Sequence, residues 1–125
     1  VDKEDERVQA AVGWLTTFFH TSKNPNFPAA RRGSNPTMLP ERGIYFYYLN
    51  GMSEALALFG EPLLLKTDGT EIDWAAQIAR RLISVQKPDG TWRSESSTMH
   101  ENDPNLATSL AIMTLARIRP FLEDR

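Results

Sequence analysis

The sequence predicts an all-α protein made of two consecutive helical hairpins. Four segments carry apolar residues at helical spacing, and no stretch alternates convincingly with period two. The first and third helices, and the second and fourth, also match as a repeat of about 60 residues. The 125 residues suit one domain, with one hairpin over about 4–62 and the other over about 68–120.

The first helix is expected from about Glu4 to His20. Val8, Ala11, Val12, Leu15 and Phe19 form its apolar face, and acidic residues crowd its first turn, where they suit the helix dipole. Asn24-Pro25 stops it, and His20 would complement the dipole at its C-terminal end. The second runs from about Gly43 to Phe59 and is apolar nearly all round, which predicts enclosure on most sides. Gly60 and Pro62 end it.

The third helix follows the Asp68-Gly69 turn, with Thr70 and Asp73 spaced as a variant capping box. Ile72, Ala75, Ala76, Ala79, Leu82 and Ile83 hold its buried face, and Pro88-Asp89-Gly90 closes it in a turn. The fourth opens with Asp103 as N-cap and Pro104 at the first helical position. Leu106, Leu110, Ala111, Met113 and Ile118 carry its buried side, and Pro120 marks its end. The proline-rich connection from Thr21 to Arg42, with two Asn-Pro steps, reads as an ordered loop anchored by Phe27, Met38 and Leu39.

Composition narrows the function classes. A formal net charge of −2 gives no nucleic-acid footprint, and Arg31–Arg32 reads as a solvated loop pair. No apolar run approaches the ~20 residues of a membrane span. Without cysteine there is no disulfide, thiolate nucleophile or Cys-ligated zinc, although this does not decide the compartment. A start at Val1, running almost at once into a helix, suggests a piece or processed product of a longer protein.

The most specific segment is Gln86-Lys87-Pro88-Asp89-Gly90-Thr91-Trp92. Gln86 can satisfy orphan helix-end groups, Gly90 allows a positive φ in the turn, and Trp92 supplies an apolar anchor. The pattern Gln-x-x-x-Gly-x-Trp is the QW motif, and this segment resembles the repeat signature of squalene and oxidosqualene cyclases and related prenyltransferase toroids. The run from Glu101 to Met113 is similar to the inner helix that follows the motif in bacterial members, and Tyr45-Phe46-Tyr47-Tyr48 to the start of the preceding inner helix. The resemblance extends from about Val8 to Ile118. The copy near Asn24 to Phe27 is degenerate and lacks both the Gln and the Gly.

This resemblance implies part of an α–α toroid, a two-layered ring with the first and third helices outside and the second and fourth inside. It does not imply activity. The Asp-x-Asp-Asp segment that carries the proton donor of class II cyclases is absent, and the Asp, Cys and His zinc site of protein prenyltransferases cannot be built without cysteine. Two hairpins are also too few to close a ring, so the chain alone is not expected to catalyse; no metal or cofactor is expected.

Tyr45, Tyr48 and Met52 lie at i, i+3 and i+7 and could face an isoprenoid or other apolar ligand, since aromatic faces stabilise carbocations; core packing is the simpler reading. Trp14, Trp74 and Trp92 read as structural, with Trp74 the one expected to be partly exposed. The run His100-Glu101-Asn102-Asp103 does not match a His-Glu-x-x-His zinc motif. Three functions follow as expectations: an isoprenoid-processing or isoprenoid-binding protein, a non-catalytic interaction scaffold, and, third, a carbohydrate-active toroid using Asp73, Glu101 and Asp103. Open helix flanks should lead to self-association.

Overall fold

The computed structural model describes residues 1–24, 44–96 and 98–123. The expected loop anchors Phe27, Met38 and Leu39, the pair Arg31–Arg32 and most of the degenerate motif copy lie outside these residues. The described chain is mostly helical: α1 is Glu6–Thr17, α2 Tyr45–Phe59, α3 Trp74–Val85 and α4 Pro104–Glu123. Strands β1, Leu64–Leu65, and β2, Glu71–Ile72, form a small antiparallel ribbon between α2 and α3. Strands this short have no periodicity to read, so no sequence pattern marks them.

α1 is shorter than its apolar pattern suggested. Asp5 caps it, its carboxylate accepting from the Arg7 amide at 2.8 Å, and the helix ends at Thr17, leaving His20 beyond it. The α3 start also differs from expectation. Thr70 is not the cap; Asp73 is, accepting from the Ala76 amide at 3.2 Å, because Glu71 and Ile72 are held in the ribbon. At the start of α4, Asp103 accepts from the Asn105 amide at 2.9 Å, directly before Pro104. The helix does not stop at Pro120 but continues to Glu123. Phe121 lies against the Trp74 ring, 4.8 Å between centroids, which holds this last turn in place.

The core forms where α4 packs against α2 and α3. Leu49 and Leu56 from α2, Trp74, Ile78 and Leu82 from α3, and Ala107 and Ile118 from α4 are fully buried. Trp74, expected to be partly exposed, is sealed, and its indole donates to the Glu61 carbonyl at 2.8 Å. Trp14 instead lies on the surface of α1, tilted against Phe18.

Four further side chains depart from the pattern. Ile83 and Met113 are exposed, and α2 is less enclosed than its composition suggests, since Tyr47 and Leu58 face outward. On α4 the position facing α2 is Thr114. Its hydroxyl donates to the Leu110 carbonyl at 2.8 Å, so a polar residue enters the interface with its hydrogen bond made. Arg117 crosses the same interface to the Asn50 side chain at 2.7 Å and the Ser53 hydroxyl at 3.2 Å.

Candidate functional site

The Gln86–Trp92 segment ends α3 with a closed set of bonds. Gly90 takes φ +87, the left-handed value that disfavours a side chain, and its amide donates to the Lys87 carbonyl. Gln86 Nε2 donates to the Gly90 carbonyl at 2.9 Å, spanning the turn. Asp89 accepts from the Thr91 amide and hydroxyl, which holds its carboxyl below the ordinary value. Trp92 is buried; its indole donates to the Leu82 carbonyl at 2.8 Å, satisfying an orphan acceptor of the last α3 turn. Its amide donates to the Thr108 hydroxyl on α4 at 3.0 Å. The segment thus fastens the end of α3 to α4.

The aromatic stripe of α2 is tied to the chain that follows α1. Tyr45 is buried, its hydroxyl donating to the Thr21 carbonyl and accepting from Arg81 Nε at 3.0 Å. Tyr48 donates to the His20 carbonyl at 2.8 Å, and burial pushes its phenol up to about 12. Met52 is buried in the core, its sulfur 3.3 Å from the Tyr48 hydroxyl. Tyr45 borders a cleft of about 230 Å³ shared with Phe46, Val85, Arg81, Lys87 and Arg93. His20 lies near it, and its imidazole is pushed below its ordinary value by burial, then by Lys23 and Arg81.

The residue that sequence reasoning undervalued is Glu101. It is fully buried, and its carboxylate accepts from the Phe46 amide at 2.7 Å and the Tyr47 amide at 3.1 Å. A side chain from the α3–α4 connection therefore supplies the N-terminal cap that α2 lacks locally, since its N-cap residue Ile44 makes no side-chain bond. Burial pushes the carboxyl above its ordinary value, and the amides of Phe46, Tyr47 and Tyr45 pull it back part of the way. All three described non-glycine residues with positive φ flank this contact: Ile44, Met99 and His100. For a β-branched Ile44 that conformation is strained, and it is held where the cap is made. The only sequence signal was the polar run His100 to Asp103, with nothing to join it to α2.

The acidic residues considered for carbohydrate chemistry are thus engaged otherwise, Asp73 and Asp103 as caps and Glu101 inside the fold. Among the described residues no three His, Asp or Glu side chains are grouped to hold a metal ion, and no helix is long and apolar enough to cross a membrane.

An apolar concavity lies between α1 and α2. It measures about 440 Å³ and is walled by Val8, Val12, Leu15, Ala55, Leu58 and Phe59, with Asp5 and Arg7 at one edge. Leu58, in its wall, is 66 % exposed.

Comparison with protein-family models, with curated proteins and with solved structures gives no match for this chain.

Proposed function

We propose that the chain is a non-catalytic helical scaffold, two hairpin units of an α–α toroid, whose role is to seat another helical element in the groove between α1 and α2. The observation that carries this reading is the open apolar groove itself, with Leu58 exposed at its wall and Val8, Val12 and Leu15 facing it only partly covered. An apolar concavity of this kind is a cost in water unless something fills it. The stacking of hairpins in a toroid offers the matching shape, because each unit leaves one flank for its neighbour. The lock at Gln86–Trp92 suits such a scaffold, since it fixes the end of one helix against the next.

A ligand site over Tyr45, Tyr48 and Met52 has less in its favour. Both phenols are bonded to main-chain carbonyls, and Met52 is core.

In the isolated chain a second copy is the available helical element. Sedimentation velocity across a concentration series should show reversible dimers of the native chain, and Leu58→Lys should shift the species to monomer with an unchanged far-ultraviolet spectrum. A native chain that stays monomeric at millimolar concentration, or a Leu58→Lys variant that dimerises as before, would sink the reading.

A further inference from the structure

The cleft beside Tyr45 has an electrostatic character that the scaffold reading does not use. Three cationic side chains border it, Arg81 from α3 and Lys87 and Arg93 from the segment that follows. The chain as a whole has a formal charge of −2, so this concentration runs against the average. Among the described residues Arg81 employs only its Nε in a hydrogen bond, to the Tyr45 hydroxyl at 3.0 Å, with its guanidinium carbon 5.9 Å from the centre of the same ring. That contact orients the guanidinium and leaves both terminal nitrogens for another acceptor. Lys87 and Arg93 donate no side-chain hydrogen bond, and among the described residues no carboxylate lies within ion-pair distance of any of the three. Arg93 is near enough to Asp89 to act on its carboxyl at longer range, after the Thr91 bonds.

The opposing charge in the wall is Glu95, which has a partner of its own. Ser22, Ser94, Phe46 and Val85 complete the lining. The first amides of α2 do not add to the positive field, because Glu101 has taken them.

We propose that this cleft binds a phosphate dianion, either the free ion or the head of a small phosphate ester. Among the described residues that line the cleft, three cations stand against one carboxylate, an excess of two charges that a dianion matches and a single carboxylate does not. An arginine fixed at one nitrogen and open at the others presents the fork that suits phosphate oxygens. The volume of about 230 Å³ leaves room beside the phosphate for a short organic group against Phe46 and Val85. This proposal is independent of the helix-docking groove, which lies between α1 and α2.

The test is calorimetric titration of the whole chain at low ionic strength with inorganic phosphate and, separately, phenyl phosphate. Saturable one-to-one binding is expected, weakened at least tenfold in Arg93→Gln and Arg81→Gln and unchanged in Arg119→Gln, a surface arginine paired with Glu123. Arg93 makes no hydrogen bond within the described structure, so its variant reads the site even if loss of the Arg81–Tyr45 contact unsettles the fold. Tighter binding of phenyl phosphate would assign the ester, and equal binding the free ion. No saturable binding of either probe, or equal loss in Arg119→Gln and Arg93→Gln, would overturn the proposal.

Discussion

α1 and α3 are the two helices that the sequence sets side by side as repeats, and each has 12 residues. Their burial could hardly differ more. α3 buries Trp74, Ala75, Ala76, Ile78 and Leu82, whereas α1 buries Thr16 alone. The tryptophans make the same contrast: Trp74 and Trp92 are sealed with their indole N–H groups bonded, and Trp14 is 46 % exposed. The more strongly amphipathic α3 is the central helix and the more weakly amphipathic α1 the peripheral one. The pattern tells which face of a helix is apolar, and neighbours decide how much of that face is covered. α3 packs against α4 along its length, whereas α1 borders a groove that stays open.

The contrast can be broken most directly at its best-packed point. Trp92→Ala should cost about 3–5 kcal/mol, because it removes a buried ring and leaves the Leu82 carbonyl without its donor. Chemical denaturation would read this as a large fall in midpoint; a loss under about 1 kcal/mol would mean that the α3–α4 lock is dispensable. Next in size is Glu101→Ala, expected to cost about 2–3 kcal/mol by leaving the buried Phe46 amide unpaired.

The same residue gives a pH signature. Because the folded-state pKa of Glu101 is raised, the native chain holds this proton to higher pH than the unfolded chain does. Its contribution to stability is therefore fullest below the ordinary carboxylate value and falls as pH rises through the folded value. The stability difference between the native chain and Glu101→Gln, measured from pH 3 upward at ~0.5-unit steps, should change over that window and flatten above it. A difference that does not vary with pH would show that burial does not perturb this carboxyl. The smallest effect belongs to α1: Trp14→Ala should cost about 1 kcal/mol or less, since the ring gives up only its contact with Phe18 and a half-covered surface. A larger loss, seen by thermal melting, would mean that α1 is as firmly integrated as α3.

How much of this was legible follows from the distance over which each signal acts. Asp103-Pro104 and Gln86–Trp92 could be read because cap, turn and anchor lie within a few residues of one another. The toroid is proposed on resemblance to a repeat signature, and the scaffold role on the open groove between α1 and α2, which no linear pattern announces. Thr70 misled because a capping pattern was sought where a ribbon intervenes, and Pro120 because Trp74 holds the turn that proline would normally end. Met113, expected on the buried side of α4, is exposed, whereas Thr114 satisfies its hydroxyl within the helix and can be buried. The basic cleft gathers Arg81, Lys87 and Arg93 around Tyr45, from residues up to 48 positions apart once the chain has folded, and no linear pattern announces it.

The cap that Glu101 places on α2 also bears on the order in which the molecule assembles. The residues it joins, Phe46 and Glu101, are separated by 55 positions. At a synthesis rate of about 5–20 residues per second, the start of α2 leaves the ribosome some seconds before its cap exists. During that interval the first turn of α2 depends on water for its amides and has no carboxylate to hold Ile44 in its strained conformation. The α2 N-terminus should then be among the last parts of the fold to settle, closing only when the α3–α4 connection arrives. A loop closure of this span slows folding more than it lowers stability, so the strain at Ile44 is as much a feature of the folding route as of the finished protein.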